Sequence, residues 1–76
     1  MEFDENKIDE AALAILSFTL HDYGRAWKQI DWEIMNRLHE KGFISNPVGK
    51  TKSVQLTESG IKEAEKLAIK LFGKDK

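Results

Sequence analysis

Seventy-six residues leave room for one domain, residues 1–76, built on one modest core. Hydrophobic residues at 41% and charged residues at 33% describe an ordinary globular chain, and the lack of cysteine excludes disulfides, thiolate metal sites and a cysteine nucleophile. The net charge of -1 conceals an acidic front and a basic back: -4 over residues 1–10, -1 over 11–40 and +4 over 41–76, unlike the overall basic excess of a typical nucleic-acid binder. No run approaches the roughly 20 apolar residues of a membrane span; the richest, residues 11–20, is broken by Ser17 and Thr19. The acidic start Glu2-Phe3-Asp4-Glu5 is the opposite of a signal peptide's. A small domain without disulfide staples is expected in the reducing cytoplasm.

The first helix is predicted to start at Asp4, whose side chain suits an N-cap, with Glu5 at the positive end. Phe3 and Ile8 have the spacing of a hydrophobic staple. Ile8, Ala12, Ile15, Leu16, Thr19 and Leu20 follow a helical period to about His21, where Asp22-Tyr23-Gly24 ends it. Residues 23–30 fit either a helix of one or two turns or an extended connector.

A second clear helix is capped by Asp31, with Glu33 in its first turn and Ile30 stapled to Met35. Ile34, Met35 and Leu38 face inward. Gly42 stops the helix in the left-handed conformation, and Phe43 packs back on Leu38. Two strand-like runs follow, Phe43 to Ser45 and Ser53 to Leu56, flanking a polar loop that contains Pro47 and Gly49. They predict a hairpin with a flexible tip, Val54 and Leu56 on one face and Gln55 on the other. The last helix is capped by Thr57 and stapled from Leu56 to Ile61, with Ile61, Ala64, Leu67 or Ala68, and Leu71 as its apolar stripe. The order helix, short element, helix, hairpin, helix predicts an α+β, mostly α, winged-helix-like fold.

Leu38 to Ile44 reads Leu-His-Glu-Lys-Gly-Phe-Ile, and after the polar turn Val54 to Gly60 reads Val-Gln-Leu-Thr-Glu-Ser-Gly. This resembles the second half of bacterial winged-helix domains, where a recognition helix ends at Lys-Gly, a strand and wing follow, and Leu-Thr-x-x-Gly opens the next helix. The similarity spans residues 31–70 and implies a fold; winged helices serve DNA binding and protein contact alike. The whole chain also resembles a small bacterial family of unknown function. The resemblance rests on Lys7 to Ala11, Thr19 to Asp22, Arg25 to Lys28, Asp31-Trp32, Arg37 to Gly42 and Ile44 to Lys50. It implies no activity. Two departures weigh against DNA reading: only residues 22–30 separate the first helix from the presumed recognition helix, and that helix would present Glu33, Asn36, Arg37 and Glu40 outward, two acids to one base.

Chemistry is sparsely signalled. His21 and His39 have no metal-binding spacing, and His39 and Lys41 suit the negative end of a helix. The serines lack nucleophile-elbow context, and Gly49-Lys50-Thr51 lacks the rest of a phosphate loop. Neither an enzyme, a cofactor, a metal nor a small-molecule substrate is expected. Trp27 and Trp32 either form a binding platform or close the small core; core closure is the expected role, with Trp32 the more exposed. Lys50 and Lys52 on the wing suit phosphate contact as well as solubility. Lys62, Lys66 and Lys70 form a ridge, read as solvated, with Glu58 placed to pair with Lys62. Leu67, Leu71 and Phe72, with Trp32, are the candidate partner contacts. The expected function is a non-enzymatic module contacting protein, its own copy included. The alternative is a winged-helix DNA-binding regulator using Asn36 and Arg37 in the groove and Lys50 and Lys52 on the wing.

Overall fold

The computed structural model describes residues 2–21, 24–28 and 30–74. Three helices and two short strands run in the order α1 (Glu5–Ser17), β1 (Arg25–Trp27), α2 (Trp32–Glu40), β2 (Ser53–Gln55) and α3 (Glu58–Phe72), an α+β and mostly helical fold. Every helix begins at its expected cap. The Asp4 carboxylate accepts from Asn6 N at 3.0 Å and Lys7 N at 3.3 Å, Asp31 accepts from Glu33 N at 3.1 Å, and Thr57 Oγ1 accepts from Gly60 N at 2.9 Å. These bonds satisfy amides that a helix start leaves bare. Ile30 and Ile61 lie half-buried against the core that holds Met35 and Leu56, as stapling requires. Phe3, by contrast, stands 74% exposed, and no staple closes α1.

The stop after α2 is a full Schellman turn. Gly42 takes φ +82°, its N–H donates to His39 O at 2.9 Å, and Phe43 N donates to Leu38 O at 3.0 Å. Helix α3 is then tied to that turn. Thr57 N donates to Phe43 O at 2.9 Å, and Thr57 Oγ1 donates to Gly42 O at 2.6 Å. One hydroxyl therefore caps α3 and anchors it to the end of α2. Thr57→Ala is expected to cost about 1–2 kcal/mol, read as a lower urea midpoint with an unchanged slope.

The end of α1 and the hairpin differ from what the sequence predicts. Helix α1 ends at Ser17 rather than near His21, because Phe18 N and Thr19 N turn back to the carbonyls of Ile15 and Leu16. Thr19 Oγ1 donates to Leu16 O as well, at 3.0 Å, competing for the carbonyl that a continuing helix would use. The expected stop at Asp22 and Tyr23 lies outside the described residues; Gly24 takes φ +94°.

The hairpin is rearranged. β2 pairs antiparallel with β1, Arg25 opposite Gln55, Ala26 opposite Val54 and Trp27 opposite Ser53. The ambiguous stretch before α2 is thus a strand, and among the described residues no helix lies between α1 and α2. Residues 43–45 contribute one bridge, Ile44 to Leu56, supported by Ser45 N donating to Gln55 O at 2.7 Å. Pro47 has no N–H to continue a ladder, and its side chain is fully buried. The loop is therefore pinned at its first half. Asn46 Oδ1 accepts from Val48 N at 2.9 Å and turns the chain there.

The core joins all elements: Leu13, Ala14 and Leu16 of α1, Ala26 of β1, Met35 and Leu38 of α2, Ile44, Val54 and Leu56, and Ala64 and Leu67 of α3. Val54 and Leu56 point inward as expected. The inward face of α1 is rotated from the expected one: Ile8 and Ile15 are partly exposed, at 37% and 45%, while Leu13 is buried.

Candidate functional site

The one buried charge among the described residues is Asp9, 1% exposed on the inner face of α1. Arg37 of α2 meets it with two donors: Nε lies 2.9 and 2.8 Å from Oδ1 and Oδ2, and Nη2 lies 2.7 Å from Oδ1. Lys41, just past α2, adds Nζ at 2.9 Å to Oδ2 and reaches Asn6 Oδ1 at 3.3 Å. Glu5, one turn before Asp9, takes Arg37 Nη1 at 3.2 Å. Burial alone would raise the Asp9 carboxyl pKa, but the hydrogen bonds and charges of Arg37 and Lys41 prevail and hold it below its ordinary value of 3.8. The same bond to Asp9 raises the Arg37 guanidinium. Asp9 has no spare capacity for proton transfer, since its oxygens are saturated by cations. The cluster is a latch between α1 and the end of α2.

This places Arg37 differently from the sequence reading. Expected on the outer face of α2, it is turned onto α1, while Glu33 and Glu40 are exposed. Asn36 is half-buried beside it. Lys50 and Lys52 are exposed on the loop before β2 and take no part in Arg37's carboxylate cluster. The structure does not bring the four residues of the DNA-reading alternative together as four free groups. His39 Nδ1 sits 3.0 Å from Ile44 O. Among the described residues no three potential ligands gather as a metal site, and no helix is long and apolar enough to cross a membrane.

Of the expected partner contacts, Leu67 is corrected: it is 4% exposed and part of the core, because α3 packs this face on α1. Trp32, Leu71 and Phe72 are exposed. Neither tryptophan closes the core; Trp27 and Trp32 are about equally exposed, at 52% and 53%. The sequence reading missed the larger feature. On α1 and its C-cap, Ile8, Ala11, Ile15 and Phe18 recur at helical spacing, and none of the four is buried. On α3, Ala68, Ile69 and Phe72 lie beside Phe18. Phe18 and Phe72 meet with ring centroids 6.1 Å apart at 58°, a tilted contact that joins the two helices' outer surfaces. Phe18, Ala68, Ile69, Phe72 and Gly73 line a shallow apolar depression there. Phe18 at 67% and Ile69 at 75% exposed, with Phe72 between the two helices, make this depression an exposed apolar patch.

A second surface lies on the sheet. Arg25 and Trp27 point outward from β1 while Ala26 is buried. The Trp27 ring stacks on His21, with centroids 4.6 Å apart and planes 24° apart. Lys28 N donates to Lys52 O at 2.8 Å, which sets these two lysines side by side, and Lys28 Nζ reaches Gly49 O at 3.4 Å.

No solved structure matches this chain. It is 51% identical over 72 residues to an uncharacterized protein, y4hR, of Sinorhizobium fredii (strain NBRC 101917 / NGR234), an alignment covering 95% of this chain and 97% of that protein. The model of a domain of unknown function, DUF6429, matches residues 4–74. The pattern of residues that suggested a small bacterial family of unknown function is thereby accounted for: the chain belongs to the DUF6429 family.

Proposed function

We propose that this domain is a non-enzymatic binding module that pairs with a second copy of itself through the apolar face of α1 and α3. The observation that carries the reading is the exposed run Ile15, Phe18, Ile69 and Phe72, bridged by the Phe18–Phe72 contact. Monomers seldom leave large contiguous apolar patches in water. A core this small also gains from association.

Charge favours a second copy as the occupant. The first ten residues carry -4, while the end of α3 and the residues after it, 66–74, hold Lys66, Lys70 and Lys74, all exposed, and no acid. A two-fold pair that sets α1 of one copy against α3 of the other brings acidic and basic ends together twice. An interface at the small end of the usual range, about 600 Å² per copy, would cover roughly a tenth of the 5681 Å² surface. The layout is then read as a winged helix in which a strand stands where the helix before the recognition helix would be. The DNA-reading alternative is disfavoured, since Arg37 is spent on Asp9 and Glu5 and α2 shows Glu33 and Glu40 to solvent.

Sedimentation equilibrium tests the proposal. The expected result is a monomer–dimer equilibrium in the micromolar range, abolished by Phe18→Glu with Phe72→Glu while the melting temperature of the dilute protein stays within a few degrees. A wild-type monomer at every concentration, or a dimer indifferent to both substitutions, contradicts it.

A further inference from the structure

We infer that the outer face of the β1–β2 pair binds single-stranded nucleic acid, with Trp27 stacking on a base and Arg25, Lys28, Lys50 and Lys52 contacting phosphates. The site is separate from the α1–α3 face and does not depend on pairing.

Three observations converge. The first is an aromatic platform held ready: Trp27 is 52% exposed although its ring already rests on His21. Preordering by the histidine reduces the side-chain freedom that base stacking would otherwise remove. A tryptophan left half exposed beside the core needs a reason, and every base offers a π-face to it. The second is charge. Residues 23–30 and 41–57 contain no Asp or Glu, yet hold Arg25, Lys28, Lys41, Lys50 and Lys52. Lys41 is committed to Asp9; Arg25 shares the ring's side of β1, and Lys28, Lys50 and Lys52 lie in the bends next to the strand pair. Asp31, the next acid after this strand, is engaged in capping α2.

The third is register. Arg25 and Trp27 leave the same side of β1, about 7 Å apart along the strand, and Ser53, small and neutral, lies opposite Trp27. The Lys28 and Lys52 backbones meet one step beyond, at 2.8 Å, with Lys50 on the adjoining loop. Cations therefore lie on both sides of the ring along the strand axis. That spacing suits a strand whose backbone passes the platform while one base turns onto it. An acidic peptide would use the lysines and leave the ring idle; a duplex hides its base faces.

The test is fluorescence anisotropy of a labelled oligothymidylate of about 20 nucleotides, titrated with the full chain at roughly 50 mM and 200 mM salt. Micromolar binding at the lower salt, at least tenfold weaker at the higher, is expected. Trp27→Leu should weaken binding about tenfold at both salts and leave the salt slope unchanged. Lys28→Gln with Lys50→Gln and Lys52→Gln should flatten the slope by about two. Both variants alter exposed or half-buried side chains, and circular dichroism verifies that they fold. No binding at low salt overturns the inference. So does binding that Trp27→Leu leaves intact, tighter binding to duplex than to single strand, or equal displacement by polyglutamate.

Discussion

Replacing Arg37 by leucine is expected to destabilise the domain more than replacing Asp9 by leucine, and making both changes should recover part of the loss. The asymmetry follows from burial. Asp9 is 1% exposed and has no route to water, whereas the Arg37 and Lys41 side chains are 23% and 34% exposed and reach solvent readily. Asp9→Leu sacrifices charge-assisted bonds but strands no ion, a cost of about 1–2 kcal/mol. Without Arg37 the carboxylate keeps only Lys41. A buried charge deprived of its main partner costs about 3 kcal/mol, against a total stability of about 4–11 kcal/mol for a chain of this length. The doubly substituted chain buries no charge at all, and apolar replacements of buried ion pairs are often neutral or better.

Acidity separates the variants further. In the wild type the Asp9 carboxyl lies below its ordinary value. Its contribution is therefore complete above about pH 4 and is lost as pH falls through the lowered value. In Arg37→Leu, burial is opposed by Lys41 alone and the carboxyl moves upward. Protonation then relieves the penalty, so the gap between variant and wild type should narrow on acidification from neutral pH toward pH 4. A gap that is constant or widens over that range contradicts the assignment of Asp9 as the buried centre of the latch.

Gly60→Ala is the second large effect, and its sign runs against helix propensity. In the interior of a helix, alanine is favoured over glycine by about 1 kcal/mol. Here a methyl group at position 60 would lie 1.9 Å from Phe43 O and 2.8 Å from Phe43 C, both backbone atoms that cannot swing aside. To fit it, the start of α3 must lift from the turn after α2, stretching Thr57 N to Phe43 O and Thr57 Oγ1 to Gly42 O. A loss of about 3 kcal/mol is expected, seen as a fall in urea midpoint comparable to that of Arg37→Leu. Unchanged or increased stability would show that α3 does not seat on Phe43 as described.

Gly60 also illustrates what was legible. Caps and stops are local chemistry, so Asp4, Asp31, Thr57 and Gly42 could be read directly, and with them the starts of all three helices and the end of α2. The sequence Leu-Thr-x-x-Gly marked the opening of α3, but the reason for its glycine, a backbone 17 residues earlier, was not in any local pattern. The strand Arg25–Trp27 was hidden for a similar reason. With only Ala26 facing inward, it shows no alternation of large apolar residues, and its partner begins at Ser53.

The candidate surfaces were harder. Ile8 and Ile15 stand seven residues apart in α1, a helical repeat that suggested its inner face. The true inner face carries Asp9 with Leu13 and Leu16, four and seven residues on. A carboxylate in helical register with two leucines was a readable sign of a buried ion pair, though not of its partners. Once the inner face is assigned correctly, Ile8, Ile15 and Phe18 become an outer stripe. Leu67, read as a partner contact, passes into the core, while Leu71 and Phe72 stay outside.

The proposed pairing through α1 and α3 is tested most directly by following backbone amide shifts of isotope-labelled protein on dilution from millimolar to low micromolar concentration. The account predicts concentration-dependent shifts confined to Ile15, Phe18, Ile69, Phe72 and their neighbours, fitting one two-state pairing curve. Spectra that do not change, or changes centred on the β1–β2 sheet or on Trp32, would contradict it.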